Sequence, residues 1–501
     1  MHWKDDLVTV WLAIRVPLVL SNGKGKTSSR NRALHLRLAP LLLIALPLAG
    51  CDLAPHYQRP ALAAPSSFPQ GPAYPAATGA QDVAAIGWKT FFTDDRLQRV
   101  IALGLANNRD LRIAAANILQ ARAQYRAQRA DLFPTIGASG NAEVSHGNAT
   151  ATGTSTGGGT RHAYSADIGI SAFELDLFGR VRNLTRAAQE QYFATQAGAD
   201  STRISLIGEI ASAWLTMGSD QDQIALSKQT LAAYQQSVDL TRAQFDKGIA
   251  SELDVQQAET NLQDARFDVA QLTTQIAQDQ NALNLLVGTT VTADLLPAGI
   301  GTGDFTLPEL PAGLDSTVLL KRPDVLQAED QLKGENANIG AARAAFFPTI
   351  SLTAAAGTAS TALSGLFTGG AWTWNASGSA TQTVFDFGKN LANLRYAQAS
   401  KQAAVATYEK AVQTAFREVS DALATRGTIG EQLSARSGKV DAASKAATLS
   451  LARYRNGIDS FLTTLDAQRT LYAAQQSLVT SRLQRETNLV TLYSTLGGGL
   501  S

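Results

Sequence analysis

Two long segments of this chain carry apolar residues at a seven-residue spacing and few helix breakers. Each runs for about 67 residues, to Phe245 in the first half and to Tyr454 in the second, or roughly 100 Å if helical throughout. After a short turn at Gly248 or Gly457 the chain returns with the same spacing. The repeated positions include Ile224, Leu231, Val238 and Phe245, then Val255, Leu262, Val269, Ile276 and Leu283, and Val440, Ala447 and Tyr454. A sustained 3.5-residue period predicts pairs of supercoiled helices.

Shorter helical segments precede two pairs of predicted strands. Each helical segment ends at a Phe-Pro dipeptide, because proline lacks the backbone donor and disfavours helical angles in the residue before it. The small-residue runs that follow flank loops rich in Gly, Ser and Thr, as in a strand hairpin. The helical segments are Leu97 to Asp131 and Val318 to Ala345, and the strands are Thr135 to Val144, Ala163 to Leu175, Ile350 to Ala356 and Trp372 to Phe385.

The two halves are copies of one unit. Phe133-Pro134-Thr135-Ile136 matches Phe347-Pro348-Thr349-Ile350 at a separation of 214 residues. A second series, at a separation of 209 residues, pairs Glu209 with Glu418, Gly248 with Gly457, Ser251 with Ser460 and Ala258 with Ala467. Collinear matches over this length indicate an internal duplication. We therefore predict repeat 1 over 91–290, a linker over 291–315 and repeat 2 over 316–501.

The N-terminal region has the pattern of an export signal. Arg30, Arg32 and Arg37 precede an apolar run from Leu38 to Leu48, which is too short for a permanent membrane helix. Residues 1–50 are therefore predicted to be a signal peptide with an N-terminal extension, and 51–90 an extended mature segment.

The sequence Leu48-Ala49-Gly50-Cys51 looks like a bacterial lipobox, which predicts diacylglycerol and palmitate on Cys51. A chance cysteine after an ordinary signal is the alternative. Asp52 at the next position resembles an inner-membrane retention signal of enteric bacteria. We predict a lipid-anchored protein of the outer membrane, with retention at the inner membrane through Asp52 as the alternative.

Composition argues against nucleic-acid binding and catalysis. The 43 Lys and Arg nearly balance the 42 Asp and Glu, so no general basic field exists for a nucleic acid. A single cysteine excludes an intramolecular disulfide. Neither a metal-ligand spacing nor a nucleophile or phosphate-loop motif is found. The five histidines are scattered: His2, His35, His56, His146 and His162. We predict a protein that is not an enzyme and holds no metal.

Four strands in one exported chain cannot close a barrel, and an open sheet edge in lipid leaves backbone groups without partners. Two chains would supply eight strands, whose interior fills with side chains, whereas three would supply twelve and leave a lumen. The long helices are too polar for lipid and must extend into water. The predicted fold class is a mixed α/β membrane protein with a shared β-barrel and coiled-coil helices.

The sequence resembles the TolC/OprM-like outer-membrane efflux factors, in particular their NodT-like lipoprotein branch. The resemblance is carried by Gly87-Trp88, Arg322-Pro323-Asp324, the two Phe-Pro-Thr-Ile turns, Phe416 to Leu423, Leu465 to Arg469 and Leu496 to Gly499. It implies a homotrimer with a twelve-strand outer-membrane barrel and a periplasmic α-barrel. It also implies docking through a periplasmic adaptor, a membrane fusion protein, to an inner-membrane RND-type pump that exports drugs or other small toxic compounds.

The resemblance also assigns two sites. The turns Gly248-Ile249-Ala250-Ser251 and Gly457-Ile458-Asp459-Ser460 match the helix-hairpin tips where the adaptor docks, although glycine can serve turn geometry alone. Leu462, Asp466 and Arg469 share a helix face and match the constriction of the periplasmic opening. A solvated charge pair is the alternative for the last two.

Two other functions compete with export. An adhesive trimeric coiled-coil protein would share the heptads but would not require the duplicated order of strands and helices. A passive porin would be dominated by strands. The cargo and the resting state of the channel stay open.

Overall fold

The computed structural model describes residues 51–74, 86–147, 159–301, 305–306 and 315–499. The predicted signal peptide lies outside the described residues, as do part of the loop after the first strand and part of the predicted linker. Among the described residues, no helix is both long and apolar enough to cross a bilayer.

The two halves contain the same elements in the same order. The first half has α1 Trp88–Phe91, α2 Asp95–Asn107, α3 Arg109–Ala130, β1 Ile136–Gly147, β2 Gly159–Leu175, α4 Arg180–Asp246 and α5 Glu252–Val287. Short 3-10 turns at Ala293–Leu295 and Ser316–Lys321 lead to the second half, and a third lies at Leu363–Gly365. The second half has α6 Pro323–Ala344, β3 Thr349–Ser360, β4 Trp372–Thr381, α7 Lys389–Arg455 and α8 Phe461–Thr495.

The long helices have the predicted length. Both α4 and α7 contain 67 residues, which corresponds to roughly 100 Å. Each begins after a glycine with left-handed backbone angles, Gly179 at φ 77° and Gly388 at φ 84°. Glycine adopts these angles without strain, so it can turn the chain from a strand into a helix.

The predicted helix from Leu97 to Asp131 is two helices. Asn108 separates α2 from α3, and its side-chain oxygen accepts a hydrogen bond of 2.9 Å from Leu111 N. Its amide donates to the Leu286 carbonyl at 2.8 Å. Asparagine at an N-cap satisfies free helix donors, so this buried residue fixes the bend and ties it to α5. The second predicted helix is also interrupted, since α6 begins at Pro323 after a 3-10 turn.

The strands form one antiparallel sheet in the order β1-β2-β3-β4. β1 and β3 extend further than predicted, to Gly147 and Ser360. β4 ends at Thr381 and not at Phe385, because β3 begins opposite Thr381 and provides no partner beyond it. β2 continues past its partner β1 because it pairs with β3 after a bulge between Ile170 and Phe173.

The main apolar core lies where α1, α2 and the 3-10 turns pack around the middle of the helical bundle. Phe91 stacks on Tyr493 with ring centroids 3.9 Å apart, and Trp214 donates to the Leu295 carbonyl at 2.9 Å. A smaller cluster lies near the ends of α4, α5 and α8 and includes Val238, Leu262 and Leu465. The bundle is thus fixed by one large core, with a minor one near the hairpin turns.

Arg322 links three elements beside the main core. This buried guanidinium donates to Asp324 at 2.7 Å, to Glu418 of α7 at 2.8 Å and to the Thr495 carbonyl at 2.7 Å. Charge-assisted hydrogen bonds of this kind are stronger than neutral ones. The Arg-Pro-Asp segment therefore holds the start of α6 against α7 and the end of α8.

We expect Arg322→Ala to lower the free energy of unfolding by about 2 kcal/mol, because Glu418 and the Thr495 carbonyl lose a charged donor. Denaturant titration of the detergent-solubilised protein measures the change. Arg242→Ala is the control, since its ion pair with Glu259 is largely exposed and contributes about 0.5 kcal/mol or less. Equal effects of the two substitutions would contradict the role of Arg322.

Candidate functional site

The first hairpin turn, Lys247 to Ser251 (tip one), joins α4 to α5. Gly248 has φ 72°, and Gly248 N donates to the Phe245 carbonyl at 2.8 Å. Ser251 starts α5 with a capping box. The Ser251 hydroxyl accepts a hydrogen bond from the backbone amide of Asp254, and the Asp254 carboxylate accepts one from the backbone amide of Ser251. Both ends of the turn are closed by local bonds, so the turn is well defined without a partner.

The second hairpin turn, Asn456 to Ser460 (tip two), joins α7 to α8 and is held by different side-chain bonds. Gly457 has φ 68° and repeats the backbone bond of tip one, to the Tyr454 carbonyl at 2.9 Å. Ser460 makes no side-chain cap bond to the helix backbone. Instead Arg453 holds Asp459 through two bonds of 2.6 and 2.9 Å, which lower the pKa of the Asp459 carboxyl.

Both tips expose an apolar side chain at the matching position. Ile249 is 73% exposed and Ile458 is 61% exposed. A Cβ added at Gly248 or Gly457 meets no atom within 4 Å, so the space outside each turn is open. The structure thus brings the predicted residues of each tip together on a protruding surface that has space for a partner.

The three predicted constriction residues lie in the first turns of α8. Leu462 is 56% exposed, and Asp466 is also exposed. Arg469 donates through Nε to Asn261 Oδ1 of α5 at 2.7 Å. Within the described part of the chain, Asp466 has neither a hydrogen bond nor an ion pair, so Asp466 and Arg469 are not paired with each other.

Further polar contacts join hairpin one (α4 and α5) to hairpin two (α7 and α8), and we call this contact region the seam. Tyr454 donates to Gln244, and Gln468 donates to Ser237 at 3.3 Å. Tyr472 donates to Asp268 at 2.8 Å while accepting from Ser227 at 2.7 Å. Burial, reinforced by the Asp268 carboxylate, raises the pKa of Tyr472 to about 12, so its hydroxyl keeps its proton.

The seam also contains unpaired polar atoms. Asn261 is only 2% exposed, and its Nδ2 has no hydrogen-bond partner among the described residues. Gln468 Oε1 is likewise buried and unpaired. Sequence reasoning did not identify Asn261 or Gln468 as residues of the seam. The asparagine one residue before the heptad position Leu262 was a signal of a polar contact at the helix interface. Unpaired buried groups weaken the contact of the two hairpins.

The predicted lipidation residue lies at the start of an extended segment. Cys51 is exposed, and Asp52 accepts bonds from Asn183 at 3.0 Å and from Arg186 at 2.9 Å, both on α4. Burial alone raises the pKa of the Asp52 carboxyl, but these bonds and the Ala54 amide hold it below its usual value. Asp52 is therefore held against the start of α4 by contacts within the folded chain.

The segment after Cys51 is fixed along α6. Arg59 forms a double hydrogen bond with the buried Glu329, at 2.9 and 2.8 Å, and Tyr57 donates to the same carboxylate at 3.1 Å. Asn336 donates to the Pro55 carbonyl at 2.7 Å. These contacts hold residues 55–59 against α6.

Comparison with known proteins identifies the family. The outer membrane efflux protein family matches twice, over residues 100–289 and 314–498. The antibiotic efflux pump outer membrane protein ArpC of Pseudomonas putida is 47% identical over 467 residues, which cover 92% of this chain and 95% of ArpC. The solvent efflux pump outer membrane protein SrpC of the same species is 45% identical over 460 residues, covering 91% and 97%.

The fold agrees with this assignment. The crystal structure of the open state of the Neisseria gonorrhoeae MtrE outer membrane channel superposes with a TM-score of 0.79 at 36% identity and covers 90% of this chain and 99% of that one. These matches confirm the predicted resemblance, fold class and transport role. The chain belongs to the outer membrane efflux protein family and is an outer-membrane channel of an efflux system, not an enzyme.

Proposed function

We propose that three copies of this chain form the outer-membrane conduit of a tripartite efflux system, which exports drugs or other small toxic compounds from the periplasm to the exterior. The observation that carries this proposal is a four-strand sheet continued by two helical hairpins, each with one helix of roughly 100 Å. A strand wall joined to a long helical wall suits a tube that crosses one membrane and continues into water.

The number of copies follows from the sheet. β1 and β4 are its two edges, and within the described residues neither edge has a second partner strand. An unpaired edge is unstable in lipid, so further copies must complete the barrel. Twelve strands from three copies leave a lumen for cargo, whereas eight from two copies do not.

The proposed cargo class comes from the relatives. ArpC is described as part of an antibiotic efflux pump and SrpC as part of a solvent efflux pump, and both align over nearly the whole chain. Small, largely apolar toxic compounds are therefore the class that we assign to this conduit. An inner-membrane RND-type pump and its periplasmic adaptor would deliver them.

The exposed tips support adaptor docking. Gly248, Ile249 and Ser251 at tip one, and Gly457, Ile458 and Ser460 at tip two, present an open apolar surface at the ends of the hairpins. Apolar residues at the centre of a protruding surface are suited to protein contact. We assign both tips to the adaptor, in addition to their role as helix turns.

The seam supports a gate at Leu462, Asp466 and Arg469. Leu462 is exposed in one protomer, so three copies would place a leucine ring at the opening. Asp466 has room for an interprotomer partner, while Arg469 ties α8 to α5 through Asn261. Opening would exchange the few polar bonds of the seam for bonds to water at little net cost, so the main cost would be exposure of the smaller apolar cluster around Val238, Leu262 and Leu465.

Lipid on Cys51 would anchor this conduit. An acyl chain on the exposed thiol would lie beside the sheet-helix junction, because the Cys51 backbone is close to Gly179 at the start of α4. Diacylglycerol and palmitate together supply the two hydrophobic signals that stable anchoring requires.

Tip substitutions test export and docking together. In a strain that lacks this gene, we expect Gly248→Trp or Gly457→Trp to leave drug accumulation as high as in the deletion, because the indole blocks the docking surface. Trimers should persist in the outer membrane, since no atom of the protomer lies within 4 Å of the new Cβ and the strain of left-handed angles on tryptophan is confined to the turn. Gly→Asn at each position is the control, because asparagine tolerates the left-handed angles.

Loss of trimers in the Trp variants would show that the glycines are needed only for the geometry of the turns, and would contradict adaptor docking. An unchanged accumulation of drug in the deletion strain itself would refute the export function.

Conductance in planar bilayers tests the gate. We expect Leu462→Ala and Asp466→Ala each to raise single-channel conductance severalfold, because they widen or untie the opening. Leu449→Ala is the matched control, since Leu449 is similarly exposed, at 63%, but lies on α7. A conductance equal to that of the parent protein would remove the gate assignment.

A further inference from the structure

Hairpin one contains a stretch of α5 that has no buried apolar residue in the protomer. At one end of this stretch Leu283 and Val287 belong to the main core, and at the other end Leu262 and Ala265 belong to the smaller apolar cluster. None of residues 266–282, which span about 25 Å of helix, is buried. The contact of α5 with α4 over this stretch therefore depends on polar groups and not on the burial of apolar area.

Two aspartates face each other across this contact. Asp220 of α4 lies within hydrogen-bonding reach of Asp279 of α5. Asp279 Oδ1 accepts a bond of 2.9 Å from Gln275, whereas Asp279 Oδ2 is buried and has no donor among the described residues. Two ionised carboxylates can only accept hydrogen bonds, so at least one of them must be protonated for a bond to form between them. A single proton would supply the donor that the pair lacks.

The charges on the same two helices do not compensate this pair. On α5 no other charged residue lies within ten positions of Asp279. On α4 the one other charged residue within seven positions of Asp220 is Asp222, whose carboxylate accepts bonds from the Ile300 and Gly301 amides at 3.0 and 2.7 Å. Neither helix therefore provides a cation beside the two carboxyl groups.

The other elements packed nearby provide no cation either. α8 approaches through the Gln476 carbonyl, which accepts a bond of 3.3 Å from α4, and its next charged residue, Arg482, forms no ion pair with either aspartate. The segment 297–301, which packs on α4, has no charged residue. α2 carries Arg96, which is bonded to the aspartate at its N-cap, and Arg99, which is exposed. A proton is thus the available positive charge for the pair within the described protomer.

The pKa of Asp220 agrees with this geometry. Burial, a hydrogen bond to Asp279 and the charge of Asp279 together raise the pKa of Asp220 to about 7, from an ordinary value of 3.8. When α5 separates from α4 the carboxyl groups meet water, and the pKa returns toward the ordinary value. The closed hairpin therefore binds one proton more than the open one between about pH 4 and about pH 7. The stability that this proton gives is complete below that window and is lost as the pH rises through it.

We infer that Asp220 and Asp279 share one proton, and that this proton closes the middle of hairpin one where apolar packing is missing. Its release leaves two like charges in the contact of α4 with α5, and these repel each other. Residues 266–282 then separate more readily from α4, while the two apolar clusters hold the ends of the stretch. Hairpin one, which carries tip one, therefore opens less readily at acidic pH than at neutral pH. This inference goes beyond the proposed function and requires neither cargo nor pump.

Hydrogen–deuterium exchange of the detergent-solubilised protein tests the shared proton. Protection factors, which correct for the intrinsic effect of pH on exchange, are compared for peptides within 266–282. Between about pH 5 and about pH 7 we expect the parent protein to lose protection there, by up to roughly tenfold per pH unit, because opening releases the bound proton. Peptides of the main core around Leu215 should keep their protection.

An asparagine variant separates the shared proton from other effects of pH. Asp220→Asn provides a permanent donor to Asp279, because its amide replaces the proton. Its protection over 266–282 should stay near the acidic value of the parent protein at both pH values. Asp239→Asn is the matched control, since Asp239 is an exposed aspartate of the same helix and its substitution should leave the loss of protection unchanged. Asp279→Asn is the reciprocal variant if Asp220→Asn does not fold.

Equal protection of 266–282 in the parent protein at the two pH values would overturn the shared proton. A pH-dependent loss that persists in both asparagine variants would overturn it as well. Neither result bears on export, because the measurement uses the purified protein without cargo or adaptor.

Discussion

The backbone hydrogen bond at a strand edge is the constraint on which this structure depends. In lipid no water replaces a missing partner, so a membrane sheet must close on itself. This chain contributes only four strands, and its edges β1 and β4 are unpaired in one protomer. Closure therefore has to come from other chains, and the same requirement brings the helices of several chains into one tube.

The internal duplication gives each repeat a strand hairpin and a long helical hairpin. Inside the chain, the stack of Phe178 on Phe347 and the pairing of β2 with β3 are the contacts that join the two repeats at the junction of sheet and helices. Phe387 before α7 and Phe133 of the first Phe-Pro turn occupy the matching places in the other pairing of the repeats, and both are exposed. The junction of sheet and helices is therefore covered on one side of the chain and open on the other.

Much of the fold was predictable because periodicity and the internal repeat report on long elements. The ends of α4 and α7 fall one residue from the predicted Phe245 and Tyr454. The break at Asn108 was missed although its N-cap bond from Leu111 N is local, because an asparagine inside a helical pattern does not by itself end the helix; its second contact, with Leu286, is far away in sequence. The early end of β4 was missed for a related reason, since the length of a strand depends on its neighbour and not only on its own residues.

The sequence predicted which candidate residues share a turn or a helix face, but not the bonds that they make. Helical spacing placed Asp466 and Arg469 on one face, whereas the structure directs Arg469 to Asn261 across the seam. A side chain as long as arginine can reach several partners, and spacing along one helix does not choose among them. Asp52 illustrates the same limit, because its partners Asn183 and Arg186 follow more than a hundred residues later.

The two tips have diverged in the bonds that hold them, and this divergence bears on which hairpin moves. Tip one is closed by the capping box of Ser251 and Asp254, which stabilises the start of α5 locally. Tip two lacks such a cap and relies on the exposed pair of Arg453 and Asp459. The start of α8 is therefore positioned largely by the seam. Displacing hairpin two would break the few, partly unsatisfied polar bonds of the seam, but it would also expose Phe461 and Leu465 of the smaller apolar cluster, so that cluster sets most of the cost of moving the candidate gate.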